Sequence, residues 1–387
     1  MYQPKRPLSR PIIIVLIAAS FLLAACGAEV ASQNWPGIVA NGNEVFIAYG
    51  PGVASVDVET RQLQWTFPDE SNPALLFFAE PSVSEDLIVF GDFGMSGGMF
   101  SPQATVTLYA LDRPDGGEAP PPVFWTRDDV ASDRIIAPAL QDDGQIFVGT
   151  ADNHVYALDA ESGELQWDFP TDHSIWAQPV VNGDLVYVAS LDNNVYALDR
   201  FSGEVSWQVT LGGSVASHPV LSDGLLYVPS FDRQLHALDA ESGDVVWTAD
   251  ASNWVWGSPA VGNGTVYFGD IDGNVYAVSA ETGEPQWTAT ADGAVQSALL
   301  YEEGVVYVTA GETEGDEDER RGQIMALDAE SGDILWQREA DAPVFSTPVL
   351  VGDSLVIVFQ TEQSADMNVF NRDDGALTWE FTLPAEL

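Results

Sequence analysis

Val155-Tyr156-Ala157-Leu158-Asp159-Ala160-Glu161-Ser162-Gly163-Glu164-Leu165-Gln166-Trp167 decides the fold. The phrase returns almost letter for letter at Val195 to Trp207, Leu235 to Trp247, Val275 to Trp287 and Ile324 to Trp336. Eight tryptophans mark its period: Trp65, Trp125, Trp167, Trp207, Trp247, Trp287, Trp336 and Trp379, spaced by 60, 42, 40, 40, 40, 49 and 43 residues. A unit of about 40 residues is the length of one four-stranded propeller blade. The sequence therefore predicts an all-β, eight-bladed β-propeller of four-stranded antiparallel blades.

One unit, Ser217 to Asp250, carries the strand reading. A first strand surrounds Pro219-Val220-Leu221, and a turn follows at Ser222-Asp223-Gly224. The second strand runs Leu225 to Ser230, and Phe231-Asp232-Arg233 makes a loop. The third is Leu235 to Asp239, followed by the turn Ala240-Glu241-Ser242-Gly243 and a fourth strand, Asp244 to Thr248. Strand-forming Tyr, Val, Leu and Trp fill the runs, and Gly, Asp, Asn and Ser fill the gaps. In Leu185-Val186-Tyr187-Val188-Ala189 neither alternate set is polar. Both faces of such a strand must be covered, as they are between stacked blades. Pro36, Pro81, Pro138, Pro179, Pro219, Pro259 and Pro348 share a slot in the first strand, with Ala298 taking it in the seventh unit. Proline belongs at the edge or start of a strand, and the innermost strand of a blade is such an edge.

The turn Asp-Ala-Glu-Ser-Gly follows from backbone chemistry. Asp159, Asp199, Asp239 and Asp328 can accept hydrogen bonds from the next amides, and Gly163, Gly203, Gly243, Gly283 and Gly332 can take the positive φ that closes a four-residue loop. The tryptophan one strand later is expected to bury its ring between blades. The first unit (Trp35 to Phe67) and the last (Phe345 to Leu383) look atypical, with degenerate third strands, as terminal repeats are where a ring closes. Insertions interrupt the second unit at Phe93 to Gln103 and Arg113 to Pro122, and the seventh at Glu312 to Arg321.

The N-terminus reads as an export signal. Lys5, Arg6 and Arg10 precede an apolar run from Ile12 to Ala25, 14 residues long, against roughly 20 for a spanning helix. Leu23-Ala24-Ala25-Cys26 has the form of a bacterial lipobox. The expected organisation is a signal peptide over 1–25, a lipidated tether over 26–34 starting at Cys26, and one propeller domain over 35–383. Cys26 is the single cysteine, which excludes a disulfide or thiolate metal site within one protomer. The mature chain would hold 59 acidic residues against ten arginines and no lysine. That field repels nucleic acid and anionic headgroups, so membrane contact is expected through the lipid alone. The chain is expected to be monomeric, with a protein partner in the cell envelope.

Val-Tyr-Ala-Leu-Asp-Ala-x-Ser/Thr-Gly-x-x-x-Trp resembles the quinoprotein (PQQ-enzyme) repeat over residues 35–383. Two classes share it: PQQ-dependent dehydrogenases, with a quinone and Ca²⁺ on the propeller axis, and BamB-like lipoproteins, which help assemble outer-membrane β-barrels by binding a partner. The chain lacks the adjacent cysteine pair of many dehydrogenases, and no unit shows an inserted Asp/Glu/Asn cluster for Ca²⁺. Length, unit number and lipobox suit the BamB-like class, which implies a scaffold with no resident cofactor outside the cytoplasm. The alternatives are a PQQ-dependent dehydrogenase and a sugar- or cell-wall-binding surface protein.

Because the repeat is so faithful, a unique site should lie where it is interrupted. Trp176, Trp254 and Trp256 stand outside the structural slot, in the segments joining one unit to the next, and Phe345 occupies a similar segment. Aromatic anchors suit a protein-binding hot spot, and plugging of the channel or packing between blades would equally account for the three tryptophans. Glu80, Ala137, Gln178, His218, Ser258, Ser297 and Thr347 precede the proline slot and should approach the axis. Glu80 and His218 admit an acid/base or metal-pair reading, and a water-filled channel is the plainer one. Asp152, Asp192, Asp232 and Asp272 are expected to cap loops.

Overall fold

The computed structural model describes residues 37–384, apart from 51, 70–71, 73–74, 78, 93, 97–102, 114–120, 314–319 and 361–364. The expected signal peptide, Cys26, the expected tether, Trp35 and Pro36 lie outside the described residues, as does most of the acidic insertion. At the ends of that insertion Glu312 and Arg321 bond each other through both amides, at 2.9 and 2.8 Å.

Eight four-stranded antiparallel sheets follow one another along the chain, over 37–67, 82–127, 140–170, 180–210, 220–250, 260–290, 300–340 and 349–382. They are numbered here as blades 1 to 8. In blade 5 the strands are Val220–Ser222, Leu225–Ser230, Gln234–Asp239 and Val245–Asp250, paired in chain order. The expected boundaries hold to within two residues. The tight turn between the first two has Asp223 at φ 49° and Gly224 at φ 80°. This is the type I′ pair whose twist matches that of the flanking strands.

Two expectations change. The prolines stand just before the inner strands rather than inside them, as Pro179 does before Val180 and Pro219 before Val220. There, each fixes φ without removing a ladder hydrogen bond. The third strands of blades 1 and 8 are not degenerate. Val53–Asp57 and Ala365–Asn371 pair along their length with the second strands of their blades.

The core is a set of layers between blades. Eight clusters of buried side chains occur among the described residues, one at each junction, and the last joins Ile38, Val45 and Val56 of blade 1 to Val356, Met367 and Val369 of blade 8. The ring therefore closes by packing, with no strand shared between first and last blades. Inner strands of several neighbouring blades touch one another. Every outer strand carries a bulge against the third, such as Val246 in blade 5. A bulge twists an exposed edge out of register for pairing with another chain.

The repeated phrase is the blade joint. Trp207 of blade 4 donates Nε1–H to the Ala240 carbonyl of blade 5 at 3.1 Å, and the Tyr187 hydroxyl donates to the same oxygen at 2.9 Å. Asp239 accepts from the Ser242 amide and hydroxyl at 2.8 and 3.0 Å, shaping that turn. Gly243 closes it at φ 75°, and a Cβ there would lie 2.7 Å from the Trp207 ring. Positive φ and a ring against its Cα both demand glycine. Trp125, Trp167, Trp247, Trp287 and Trp336 repeat the indole hydrogen bond to the next blade. At the closure Arg61 takes the glycine slot at φ 58°, and its guanidinium lies 5.9 Å from the Trp379 ring. Trp65, at the first junction, is buried beside Phe46.

Candidate functional site

In an antiparallel blade, the loop between second and third strands opens at the same end as the linker from the outer strand to the next blade. The linker is pinned from both sides. In the segment joining blades 4 and 5, the Val215 amide donates to Ser190 of blade 4 and the Ser214 carbonyl accepts from Phe231 of blade 5, at 3.2 and 2.9 Å. In the segment joining blades 5 and 6, Val255 donates to Ser230 and Trp254 accepts from Ile271, at 3.2 and 3.1 Å. Ile175, Val215 and Val255 are the buried pegs of three successive linkers.

The residue before the peg is Ser174, Ser214 or Trp254. Both serines are used internally. Ser174 donates to the Ala151 carbonyl and to Asn153 Oδ1 at 3.0 and 3.4 Å, and Ser214 to the Leu191 carbonyl and to Asn193 Oδ1 at 2.7 and 2.9 Å. Among the described residues the Trp254 indole makes neither bond. Trp254 instead stands 44% exposed and stacks on Phe231, with centroids 5.0 Å apart and planes at 16°. Trp256, half-buried one residue past the peg, meets the same Phe231 ring at 5.0 Å and 43°. The three rings form one platform on a backbone held by two blades.

Beneath it, Asp232 accepts from the amides of Gly212 and Gln234 at 3.0 and 3.1 Å and pairs with His236 Nε2 at 2.9 Å. Burial works to raise the Asp232 carboxyl, but the His236 bond and charge outweigh it and hold the group below its ordinary range. Asp152 and Asp192 do the same capping with Tyr156 and Tyr196 hydroxyls in place of the imidazole. The capping expectation fails at Asp272, which is exposed and takes only the Asn253 side chain. In blade 6 the buried cap is Asp270, two residues earlier, bonded to Tyr276 and to four amides.

The other aromatic candidates are not part of this platform's stack on Phe231. Trp176, two linkers earlier, is half-buried, and its Nε1 is buried without a hydrogen-bond partner among the described residues. Phe345, two linkers later, is half-buried against Gly311, where a Cβ would lie 2.8 Å from its ring. Phe231 was legible only as a loop residue. Its signal was present in the repeat, since Ala151, Leu191 and Ile271 occupy its slot in blades 3, 4 and 6. The turn face also has an exception. Arg200 and Phe201 replace Ala and Glu there, and buried Arg200 clamps Asp142 and Gln145 of blade 3 at 2.7 and 2.8 Å.

Of the expected axial residues, Glu80 and Gln178 pack against the preceding blade. A Cβ on Gly37 would lie 2.3 Å from the Glu80 backbone, and Gln178 Nε2 donates to the Ala139 carbonyl at 3.0 Å. Burial raises the Glu80 carboxyl to about 7 and lowers the His218 imidazole to about 4. Ser258 and Ser297 are buried within the wall rather than on an open channel.

The family described as outer membrane protein assembly factor BamB matches residues 51–177, 104–218, 170–255, 192–297 and 253–386. The chain belongs to this family. No curated protein matches it. BamB from Moraxella catarrhalis is similar at a TM-score of 0.62 and 18% identity, over 88% of this chain and 92% of that one. The computationally designed Ika8 protein gives 0.64 and 15%, over 91% and 97%, and a europium-containing methanol dehydrogenase 0.60 and 14%, over 82% and 79%. At these identities the three share the fold.

BamB-family membership confirms the resemblance carried by the repeat. The residues expected on the axis are a poor donor set for a quinone with Ca²⁺. One carboxylate, Glu80, stands among an amide, an imidazole, hydroxyls and a methyl group, whereas Ca²⁺ takes six to eight oxygen ligands with carboxylates prominent. Among the described residues no three His, Cys, Asp or Glu side chains converge in a manner that could hold a metal ion.

Proposed function

We propose that this BamB-family chain is a non-catalytic scaffold of the cell envelope, lipid-anchored at Cys26, whose linker face docks a protein during assembly of outer-membrane proteins. One observation carries the reading: at a single linker the self-satisfied serine is exchanged for an exposed tryptophan stacked on a second aromatic. Rigid aromatic surface set on a fixed backbone loses little entropy on binding, which is what a hot spot needs. Trp254→Ala with Trp256→Ala should reduce recovery of a membrane partner in pull-downs by tenfold or more, about 1.4 kcal/mol per decade. Thermal stability should barely move, because Ala294 and Ala216 already fill those two slots in other linkers. Undiminished recovery, or unfolding of the double variant, counts against the platform.

The poor donor set expected on the axis also predicts that protein incubated with PQQ and Ca²⁺, then desalted, will retain no quinone absorbance. Stoichiometric retention would reverse the assignment in favour of a dehydrogenase.

A further inference from the structure

Blade 5 departs from its own repeat at a cluster of neighbouring positions, and Arg233 is the most informative. The loop between second and third strands needs one residue in the left-handed region. Asn153 and Asn193 hold that slot at φ 71° and 72°, Gly273 at φ 88°, and Arg233 at φ 69°. Asn and Gly tolerate this region, and a long side chain there is uncommon. In blades 3 and 4 the asparagine of the slot receives the linker serine hydroxyl. Arg233 and Trp254 therefore stand in the places of a hydrogen-bonded Asn–Ser pair, and a strained backbone position with no internal gain marks a functional site.

The guanidinium is exposed and, among the described residues, has neither an ion pair nor a hydrogen-bond partner. The backbone beside it is fixed, since the Arg233 carbonyl accepts from Ala251 at 2.9 Å in the linker that carries Trp254. The carboxylates beside it in the loop and on the paired strand have other partners: Asp232 has His236, and Asp250 has Gln234 Nε2 at 2.7 Å. A chain of net charge −46 thus leaves one cation bare at the edge of its aromatic platform.

We propose that the platform takes a segment of a partner protein that presents a carboxylate beside a flat apolar side chain, with the carboxylate on Arg233 and the flat group over Trp254. The inference rests on the docking function above and sharpens it against the protein's overall charge. The surrounding field repels acidic segments generally and accepts one only where its carboxylate reaches this guanidinium, so the pair sets register as well as affinity.

The test places p-benzoylphenylalanine at exposed Asp250 in the full-length lipoprotein, crosslinks in intact cells, and sequences the captured peptide. The expected peptide holds Asp or Glu adjacent to an aromatic or aliphatic residue. Arg233→Asn should cut its yield by about tenfold, as loss of a charge-assisted bond does, while melting at or above wild type, because Asn153 and Asn193 already occupy this slot. Arg233→Lys should retain most of the yield. Arg233→Glu should abolish it, and exchanging the captured carboxylate for Arg should restore it. Wild-type yield from Arg233→Glu, a captured peptide without a carboxylate, or a glycan adduct overturns the inference and leaves protein docking to be judged by the Trp254/Trp256 pull-down. No protein adduct, together with intact pull-down by that double variant, overturns both.

Discussion

Trp207→Ala is expected to lower the free energy of unfolding by about 3 kcal/mol, the lower end of the range for deleting a large core aromatic, because the ring is partly rather than fully buried. Three losses coincide there. The ring leaves a void at the junction of blades 4 and 5, where it packs 5.7 Å from the Tyr187 ring. The Ala240 carbonyl keeps the Tyr187 hydroxyl but loses the indole donor. The Gly243 turn loses the surface against which it lies. Gly243→Ala probes the same joint from the other side, since its Cβ would sit 2.7 Å from the ring at φ 75°. It should cost more than 1 kcal/mol through left-handed strain alone. Urea unfolding followed by fluorescence measures both, and an unchanged midpoint for either variant would show that this joint does not hold the blades. The contrast with Trp254→Ala is the useful control, because both changes remove an indole and only one removes a blade contact.

Glu80→Gln should change the pH dependence of stability. Folded Glu80 keeps its proton to about pH 7, whereas the unfolded chain releases it near 4.5. Between those values the native state binds more protons, so the contribution is complete below pH 4.5 and is lost as pH rises through 7. At 1.36 kcal/mol per unit the loss reaches at most about 3 kcal/mol, less whatever channel water screens. His218 acts in the opposite sense. Its folded imidazole titrates near 4 against 6.5 unfolded, so its contribution is complete above pH 6.5 and fades as pH falls toward 4. Glu80→Gln stays neutral at every pH. It should match wild type at pH 4.5 and exceed it at pH 8, as read from urea midpoints across that range. Parallel curves for the two proteins would place Glu80 in free solvent.

The joint and the platform differed in how visible they were. Trp207, Asp239 and Gly243 announce themselves because each does one local thing, burying a ring, capping a turn or taking positive φ, and does it again in the next unit. Their mutual contact across blades, Trp207 of one blade against Gly243 of the next, is seen only in the structure. Arg233 and Phe231 were hidden by the same regularity. Each is an ordinary loop residue in sequence, and its meaning appears only when superimposed repeats show an asparagine and an aliphatic side chain in those slots. The Asp272 expectation failed for a related reason. Spacing counts residues, while capping depends on which carboxylate the loop turns inward, and in blade 6 the loop buries Asp270.

By itself the sequence determines the eight four-stranded blades, their strand order, the capped turns and the ring of tryptophans. All of these arise from short-range chemistry repeated at a constant period. Tertiary structure alone decides how the ring closes, with Arg61 over Trp379 in place of a glycine against an indole, and which interruptions of the repeat meet. Linker and loop residues about twenty positions apart become neighbours because two blades pin the linker between them. That pinning turns Phe231, Arg233, Trp254 and Trp256 into one surface.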